Sequence, residues 1–336
     1  MERLGLRPDA PEQYVGPRRF ASYYRDYLHH GTYREYSQIR ETSSSDVGVR
    51  RLEAMAKRLS REEDPILLSA AASAYLESGI SQGELDVTGK LTLAGKAQML
   101  WGQALQNEAT LTDTDGTECD TQYRIAMNLA CLPIVKSMFR GDVKEGVIDT
   151  TIDRLISIGD ACGAEETSHR IGNDVYSANM LVGVQHELNA LVSLLYKKDA
   201  RYVVLPSFQR EGTGFYNPEQ THDINLISQH FGNVRSILPI EVKARISQES
   251  RERYEALLVG GRVHLGVNGS IHQRNPSLTR HAMARHRAGE ATEDDEQTVL
   301  SIQRTMSKLL SDYKKTGKRK PLAQTRRPEA STEQAA

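Results

Sequence analysis

Residues 237–244 read Ile-Leu-Pro-Ile-Glu-Val-Lys-Ala, and this stretch decides how the second half of the chain is interpreted. Side chains alternate between the two faces of a β-strand, so the apolar residues at the even positions share one face. Glu241 and Lys243 then lie side by side on the opposite face. A neighbouring carboxylate and amine can serve one reaction, because the carboxylate binds a divalent cation and the amine positions the attacking water.

The same tripeptide pattern occurs elsewhere in the chain, at Asp142-Val143-Lys144 and at Asp312-Tyr313-Lys314. The first lies at a predicted helix boundary and the second within a predicted helix. Neither lies in an apolar strand, so we interpret both as chance matches.

A second carboxylate comes from the segment that precedes this strand. Asp223 begins the run Asp-Ile-Asn-Leu-Ile, in which apolar and polar residues alternate as in a strand. It precedes Glu241 by 18 residues, a separation that fits two antiparallel strands joined by a turn near Gly232. In such a hairpin the start of the first strand meets the end of the second. We therefore predict that Asp223 lies beside Glu241.

The helix predicted at 173–197 carries a third acidic candidate, Glu187. It lies three residues after Val184 and four before Leu191, within or at the edge of an apolar stripe. Burial of an unpaired carboxylate is costly, so Glu187 needs a bound metal ion or a cationic partner. We prefer the metal-binding interpretation because this helix directly precedes the strands. A buried ion pair with Arg or Lys stays open as the alternative.

Residues 173–268 are predicted to form a helix, three strands, a helix and a further strand. This order of elements, with Glu187, Asp223, Glu241 and Lys243 at their places in it, resembles the PD-(D/E)xK nuclease superfamily. That superfamily has the restriction-endonuclease-like fold. The resemblance implies an α+β or α/β fold class, in which a helical N-terminal domain precedes an αβββαβ domain with a central mixed sheet. The sequence departs from the family pattern because His222 replaces the proline before Asp223 and because Pro239 interrupts the third strand.

The resemblance also implies a set of catalytic residues and a cofactor. Glu187, Asp223, Glu241 and Lys243 match the catalytic positions in order. One or two Mg²⁺ or Mn²⁺ ions would be held by Asp223, Glu241, the carbonyl of Val242 and Glu187. The metal would lower the pKa of a bound water, and Lys243 would position that water.

The expected function is therefore a divalent-metal-dependent nuclease that hydrolyses phosphodiester bonds in DNA, by analogy in restriction, repair or defence. Arg210, Arg245 and Gln248 border the expected site and are candidates for contacts with the nucleic-acid backbone, or else ordinary surface residues. Two alternatives stay open. The chain is a helical adaptor or scaffold with an inactive nuclease-like domain, or Glu241 and Lys243 form a surface ion pair on an ordinary strand.

The chain is predicted to divide into four parts. Residues 1–45 form a Tyr- and Arg-rich helical segment, 46–172 an all-helical domain of unassigned type, 173–312 the nuclease-like domain and 313–336 a basic disordered tail. Within the third part, residues 285–296 are predicted to form a charged linker before a last helix at 296–315. The helical half is expected to contact DNA, a protein partner or a second copy of the chain.

Composition narrows the class of protein. The formal net charge is -1, so contacts with nucleic acid must come from local patches of positive charge. The three cysteines are widely spaced, which excludes a zinc motif or a disulfide framework and suits a reducing cytoplasm. The N-terminus lacks the apolar region of a signal peptide, and no apolar run reaches membrane-spanning length. We therefore expect a cytoplasmic protein without a membrane contact.

Overall fold

The structure is a computed structural model of the 336-residue chain. It describes residues 32, 35, 39, 46–81, 85–111, 120–196, 202–206, 224–230, 233–243, 263–266 and 276–317.

Helices make up most of the described chain, and six of them precede the strands. They are α1 (Asp46–Leu59), α2 (Pro65–Ser81), α3 (Val87–Leu111), α4 (Thr121–Phe139), α5 (Glu145–Ile171) and α6 (Val175–Leu195).

Local sequence signals explain where several helices begin and end. The carboxylate of Asp64 accepts hydrogen bonds from the backbone N–H groups of Ile66 and Leu67 at the start of α2, at 2.9 and 3.1 Å. Asp174 caps α6 in the same way, since its carboxylate accepts from the N–H of Ser177. Between α5 and α6 the chain reverses at Asn173, whose φ of 62° is tolerated by asparagine better than by most residues. Side-chain caps therefore satisfy backbone donors that the first helical turn leaves unpaired.

Each helix from α1 to α6 packs against the next one along the chain. The only tryptophan, Trp101 of α3, is completely buried, and its indole N–H donates to the hydroxyl of Ser69 on α2 at 3.1 Å. The helices therefore form one continuous body of sequential neighbours. None of the described helices is both long and apolar enough to cross a membrane.

The strands are β1 (Tyr202–Pro206), β2 (Ile224–His230), β3 (Asn233–Lys243) and β4 (Val263–Gly266). They pair in chain order. β1 with β2 and β2 with β3 are antiparallel, whereas β3 and β4 run parallel. The segments predicted from sequence to be strands, at 202–205, 223–228, 236–244 and 262–267, agree with these strands to within a few residues.

The sheet joins the helical body through β1. This strand contacts α4 and α6, and Val203, Val204 and Leu205 are all buried. Ile224, Leu226 and Ile227 of β2 are buried with them in the same hydrophobic cluster as the helix residues.

The predicted fold class is wrong. The described chain is predominantly helical, and its four short strands form a small sheet packed on the helical body instead of the central mixed sheet around which a restriction-endonuclease-like domain is built. The reason lies in α6, which was expected to place one apolar stripe on a separate sheet. Every residue from Val184 to Leu195 is buried, so α6 is an interior helix of the helical body. The division of the chain into four parts stays a prediction.

Two helices follow the sheet, α7 (Pro276–Ala288) and α8 (Glu293–Gly317). α7 packs against α5 and α6, and it occupies part of the segment that was predicted to be a charged linker. The guanidinium of Arg285 donates to both carboxylate oxygens of Asp295, at 2.8 and 2.6 Å, and thereby joins α7 to α8. This charged segment therefore joins two packed helices instead of forming a linker.

Candidate functional site

The β2–β3 register decides which residues come together at the predicted catalytic edge of the sheet. Ile224 lies opposite Ile240, and Leu226 lies opposite Leu238. Glu241 therefore lies one residue beyond the last pair of the β2–β3 ladder. Asp223 is the residue directly before Ile224 in the sequence. Asp223 lies outside the described residues, so its position beside Glu241 stays a prediction.

The alternation of β3 agrees with a buried face at its even positions. Ile240 and Val242 are buried, and Glu241 and Lys243 occupy the intervening backbone positions. The parallel neighbour β4 places the backbone of His264 opposite Glu241. The side chains of Glu241 and Lys243 lie outside the described part of the structure.

The three residues predicted to contact nucleic acid, Arg210, Arg245 and Gln248, also lie outside the described residues. So does the helix that was predicted at 248–258.

Glu187 occupies a different environment from the one preferred on sequence grounds. Its Oε2 accepts from Nη1 of Arg124 at 2.5 Å, and its Oε1 accepts from Nη2 of the same residue at 2.9 Å. The guanidinium also donates through Nε to Oδ2 of Asp120 at 2.9 Å. The structure thus shows the alternative that the sequence left open, a buried ion pair with an arginine.

The ion pair of Arg124 with Glu187 and Asp120 is electrostatically favourable despite its burial. The carboxylates are 7 % and 6 % exposed, whereas the Arg124 side chain keeps 31 % of its surface exposed. Burial alone would lower the pKa of Arg124, but the charges of Glu187 and Asp120 outweigh it and raise that pKa well above its ordinary value. A metal ion at Glu187 would have to compete with this bidentate guanidinium.

Metal ligands are not assembled elsewhere in the part of the chain that the structure describes. Among those residues, no group of three or more His, Cys, Asp and Glu side chains is arranged to hold a metal ion. The predicted metal site therefore depends on Asp223, Glu241 and the carbonyl of Val242.

A second polar cluster lies between α5, α6 and α7, around Arg280, which is 0 % exposed. Its Nε donates to Oδ1 of Asp160 at 3.3 Å, and its Nη2 donates to Oε1 of Gln185 at 3.1 Å. The imidazole of His186 is also buried, and the charge of Arg280 contributes to lowering its pKa. We call these four residues the Arg280 cluster.

The Arg280 cluster is incompletely paired. Nη1 of Arg280, Nε2 of Gln185 and Nδ1 of His186 are buried and have no hydrogen-bond partner among the described residues. Asp160 is 44 % exposed, so its charge is partly solvated, and its Oδ1 also lies 3.6 Å from Nε2 of His281. Burial lowers the pKa of Arg280, and Asp160 offsets this only in part. The buried charge of Arg280 is therefore only partly compensated.

The unpaired state of His186 predicts a pH-dependent stability. Burial, reinforced by the charge of Arg280, lowers the pKa of His186 from 6.5 to about 4. The unfolded chain therefore takes up the proton first, and the contribution of the neutral imidazole is complete above about pH 6.5 and is lost as the pH falls toward 4. We expect the free energy of unfolding to fall by about 2–3 kcal/mol more in the wild type than in His186→Gln over this range.

Urea denaturation of both proteins at about pH 7 and about pH 4.5 measures this difference. Equal losses of stability in the two proteins would show that His186 is not the responsible group. The comparison with glutamine removes the contributions of Asp160, His281 and every other group that both proteins share.

A glycine of α5 makes room for the buried guanidinium. A Cβ atom at Gly159 would lie 2.5 Å from Cδ and 2.6 Å from Nε of Arg280, closer than atoms can approach. We expect Gly159→Ala to lower the free energy of unfolding by about 1–3 kcal/mol, because Arg280 must shift within a packed interior. In an Arg280→Ala background the same substitution should instead stabilise α5 by about 0.5–1 kcal/mol, through the higher helix propensity of alanine.

Gly95→Ala is the matched control for the glycine substitution. Gly95 lies within α3, and a Cβ there would meet nothing within 4 Å, so this variant should be more stable than the wild type. If Gly159→Ala stabilised the protein as Gly95→Ala does, the close approach of Arg280 to α5 would be refuted.

Sequence reasoning missed Arg124 and the Arg280 cluster. Arg124 offers a faint signal, since Asp120 precedes it by four residues and the pair can meet on one face of a helix. Gly163 was predicted to end a helix at 146–162, but it lies inside α5, as Gly159 does. Their small size serves the close approach of Arg280 instead.

None of the models of protein families, the curated proteins and the solved structures compared with this chain matches it.

Proposed function

We propose that the chain is a divalent-metal-dependent nuclease whose site lies at the end of β3. The observation that supports the proposal is the pairing of Ile224 with Ile240. Glu241 directly follows Ile240 in β3, and Asp223 directly precedes Ile224, the first residue of β2, in the sequence. Lys243 follows two residues later in the same strand, and the intervening Val242 is buried. The proposal concerns this local arrangement and not the fold family that the sequence suggested.

The residue types suit the chemistry of phosphodiester hydrolysis. The carboxylates of Asp223 and Glu241, with the carbonyl of Val242, would hold Mg²⁺ or Mn²⁺, since these hard cations prefer oxygen ligands. When bound, the metal supplies an acidified water and neutralises charge on the phosphate. Lys243 would orient the water and stabilise negative charge as it develops. Glu187 is not part of this set, because Arg124 engages both of its carboxylate oxygens.

The proposed substrate is DNA, with Arg210, Arg245 and Gln248 as contacts to its backbone. The proposed location is the cytoplasm, and the helical half is the surface proposed for a protein partner or a second copy. These assignments extend the sequence interpretation.

The decisive experiment is cleavage by the purified full-length chain. Supercoiled plasmid, single-stranded DNA and RNA are each incubated with the protein and Mg²⁺ or Mn²⁺, and parallel samples contain EDTA. Cleavage of at least one substrate that stops with EDTA supports the proposal. Failure to cleave all three with either metal contradicts it.

A helical adaptor without catalytic activity is the second candidate. Two observations favour it: the described chain is predominantly helical, and the carboxylate of Glu187 is bonded to Arg124. Calorimetry with Mg²⁺ and Mn²⁺ separates the two candidates, because an adaptor needs no metal at Asp223 and Glu241. If the wild type binds the metal and Asp223→Ala does not, the adaptor with a degraded site is excluded.

A further inference from the structure

One face of α1 carries a row of positive charges. Its exposed cations are Arg50, Arg51, Lys57 and Arg58, and the exposed Arg61 follows two residues after the helix ends. The acidic residues of α1 are Asp46, its first residue, and Glu53. Because the whole chain has a formal net charge of -1, this concentration of like charge is a local feature and not a consequence of the composition.

The fold of α1 explains why the cations share one face. Its opposite face is apolar and fully committed to the helical body, with Val49, Leu52, Met55, Ala56 and Leu59 all buried. Glu53 is turned toward α2, where it accepts a hydrogen bond from the hydroxyl of Ser78 at 3.0 Å. One oxygen of the Glu53 carboxylate is thereby engaged with α2, and four cations outnumber the acidic residues of α1.

The cations differ in how strongly they are engaged within the chain. Arg58 forms an ion pair with Glu35. At the end of the row, Arg61 is followed directly by the exposed acids Glu62 and Glu63. Arg50, Arg51 and Lys57 are therefore expected to dominate the field of this face.

We propose that the exposed face of α1, centred on Arg50, Arg51 and Lys57, binds the phosphate backbone of duplex DNA. The helix rise places Arg50 and Arg58 about 12 Å apart along the axis, and duplex DNA carries a charge about every 1.7 Å, so several phosphates lie within reach of the row. Such contacts position a protein on DNA without reading its sequence. The choice of DNA as the polyanion rests on the proposed nuclease function.

Salt dependence of binding tests the proposal. Fluorescence anisotropy with a labelled duplex, in EDTA to prevent cleavage, gives the affinity between about 50 and about 200 mM KCl. Each cation that contacts a phosphate contributes about -0.9 to the slope of log K against log salt. The triple variant Arg50→Ala, Arg51→Ala, Lys57→Ala should therefore reduce the slope by about 3, and Lys57→Ala alone by about 1.

A second triple variant controls for the loss of three positive charges. Arg140→Ala, Lys144→Ala, Arg154→Ala removes exposed cations from the α4–α5 region and should leave the slope unchanged. Arg58→Ala should change the slope less than Lys57→Ala, because Glu35 already pairs with Arg58. Thermal unfolding of each variant checks that α1 remains folded.

Three results would overturn the proposal: an unchanged slope in the α1 triple variant, an equal reduction in the α4–α5 triple variant, or equally strong binding to polyglutamate, which would identify an acidic protein as the partner. The result is separable from the nuclease assignment. If Asp223→Ala cleaves normally while the α1 triple variant loses binding, the proposed nuclease site is refuted and the proposed DNA-binding face of α1 is supported. If Asp223→Ala abolishes cleavage while the α1 variant binds normally, the reverse holds.

Discussion

Asp223→Ala is expected to reduce Mg²⁺-dependent DNA cleavage by about 100-fold or more. A divalent ion contributes several kcal/mol of stabilisation to the transition state, and each 1.4 kcal/mol corresponds to about a tenfold change in rate. Loss of one carboxylate ligand should also weaken metal binding. Lys243→Ala should lose cleavage to a similar degree but retain the metal, because its amine is proposed to act on water. Plasmid nicking and metal calorimetry on both variants measure the two effects separately.

The chain contains its own control for these substitutions. Asp142 and Lys144 flank Val143 in the same pattern, but they lie in an exposed segment before α5, where Nζ of Lys144 is 3.6 Å from Oδ2 of Asp142. Asp142→Ala and Lys144→Ala should cleave as the wild type does. If Asp223→Ala and Lys243→Ala cleaved normally as well, the end of β3 could not be the nuclease site.

Arg124→Met is expected to lower the free energy of unfolding by about 3–5 kcal/mol. The substitution keeps an unbranched side chain of similar reach but removes the cation that both carboxylates bond to, those of Glu187 and Asp120. Glu187 is 7 % exposed on α6, so its carboxylate is poorly hydrated when the guanidinium is absent. Urea denaturation followed by circular dichroism should show a lower midpoint with an unchanged slope.

Two further variants define the origin of that loss. Arg124→Met combined with Glu187→Met should recover much of the lost stability, because replacement of a buried pair by apolar groups is often close to neutral. Arg170→Met removes an arginine from an exposed pair with Glu166 and should change stability by about 1 kcal/mol or less. If Arg124→Met proved as mild as Arg170→Met, the ion pair of Arg124 and Glu187 would not be a determinant of the fold.

The strands were predictable from sequence because their signal is local. Alternation around Ile240 needs only neighbouring residues to be recognised, and Ile240 and Val242 are buried as predicted. In β2 the polar Asn225 is buried together with Ile224 and Leu226, so alternation does not describe that strand. The register of β2 on β3 follows from the short connection between them. The fold class was not predictable in this way, since it depends on how many sides of α6 are covered and by what.

Glu187 and α7 illustrate what a single sequence conceals. A carboxylate in an apolar stripe must have a partner, but nothing in the sequence connects Glu187 with Arg124, 63 residues away. α7 lacks a strong apolar stripe because it buries Arg280 and Thr279 beside Ala282 and Met283. Its hydrogen bond to α6, from Asn189 to the carbonyl of Pro276 at 2.9 Å, spans 87 residues. Long-range polar contacts of this kind leave no periodic signal.

The partners of α7 also determine the order in which the molecule can be completed during synthesis. Arg280 and Arg287 bond to Asp160 and Asp149 on α5, residues 120 and 138 positions earlier. α5 and α6 therefore leave the ribosome long before the helix that covers Gln185 and Asn189 exists. Until α7 is synthesised and packs against α6, Gln185 and Asn189 lack their hydrogen-bond partners on α7.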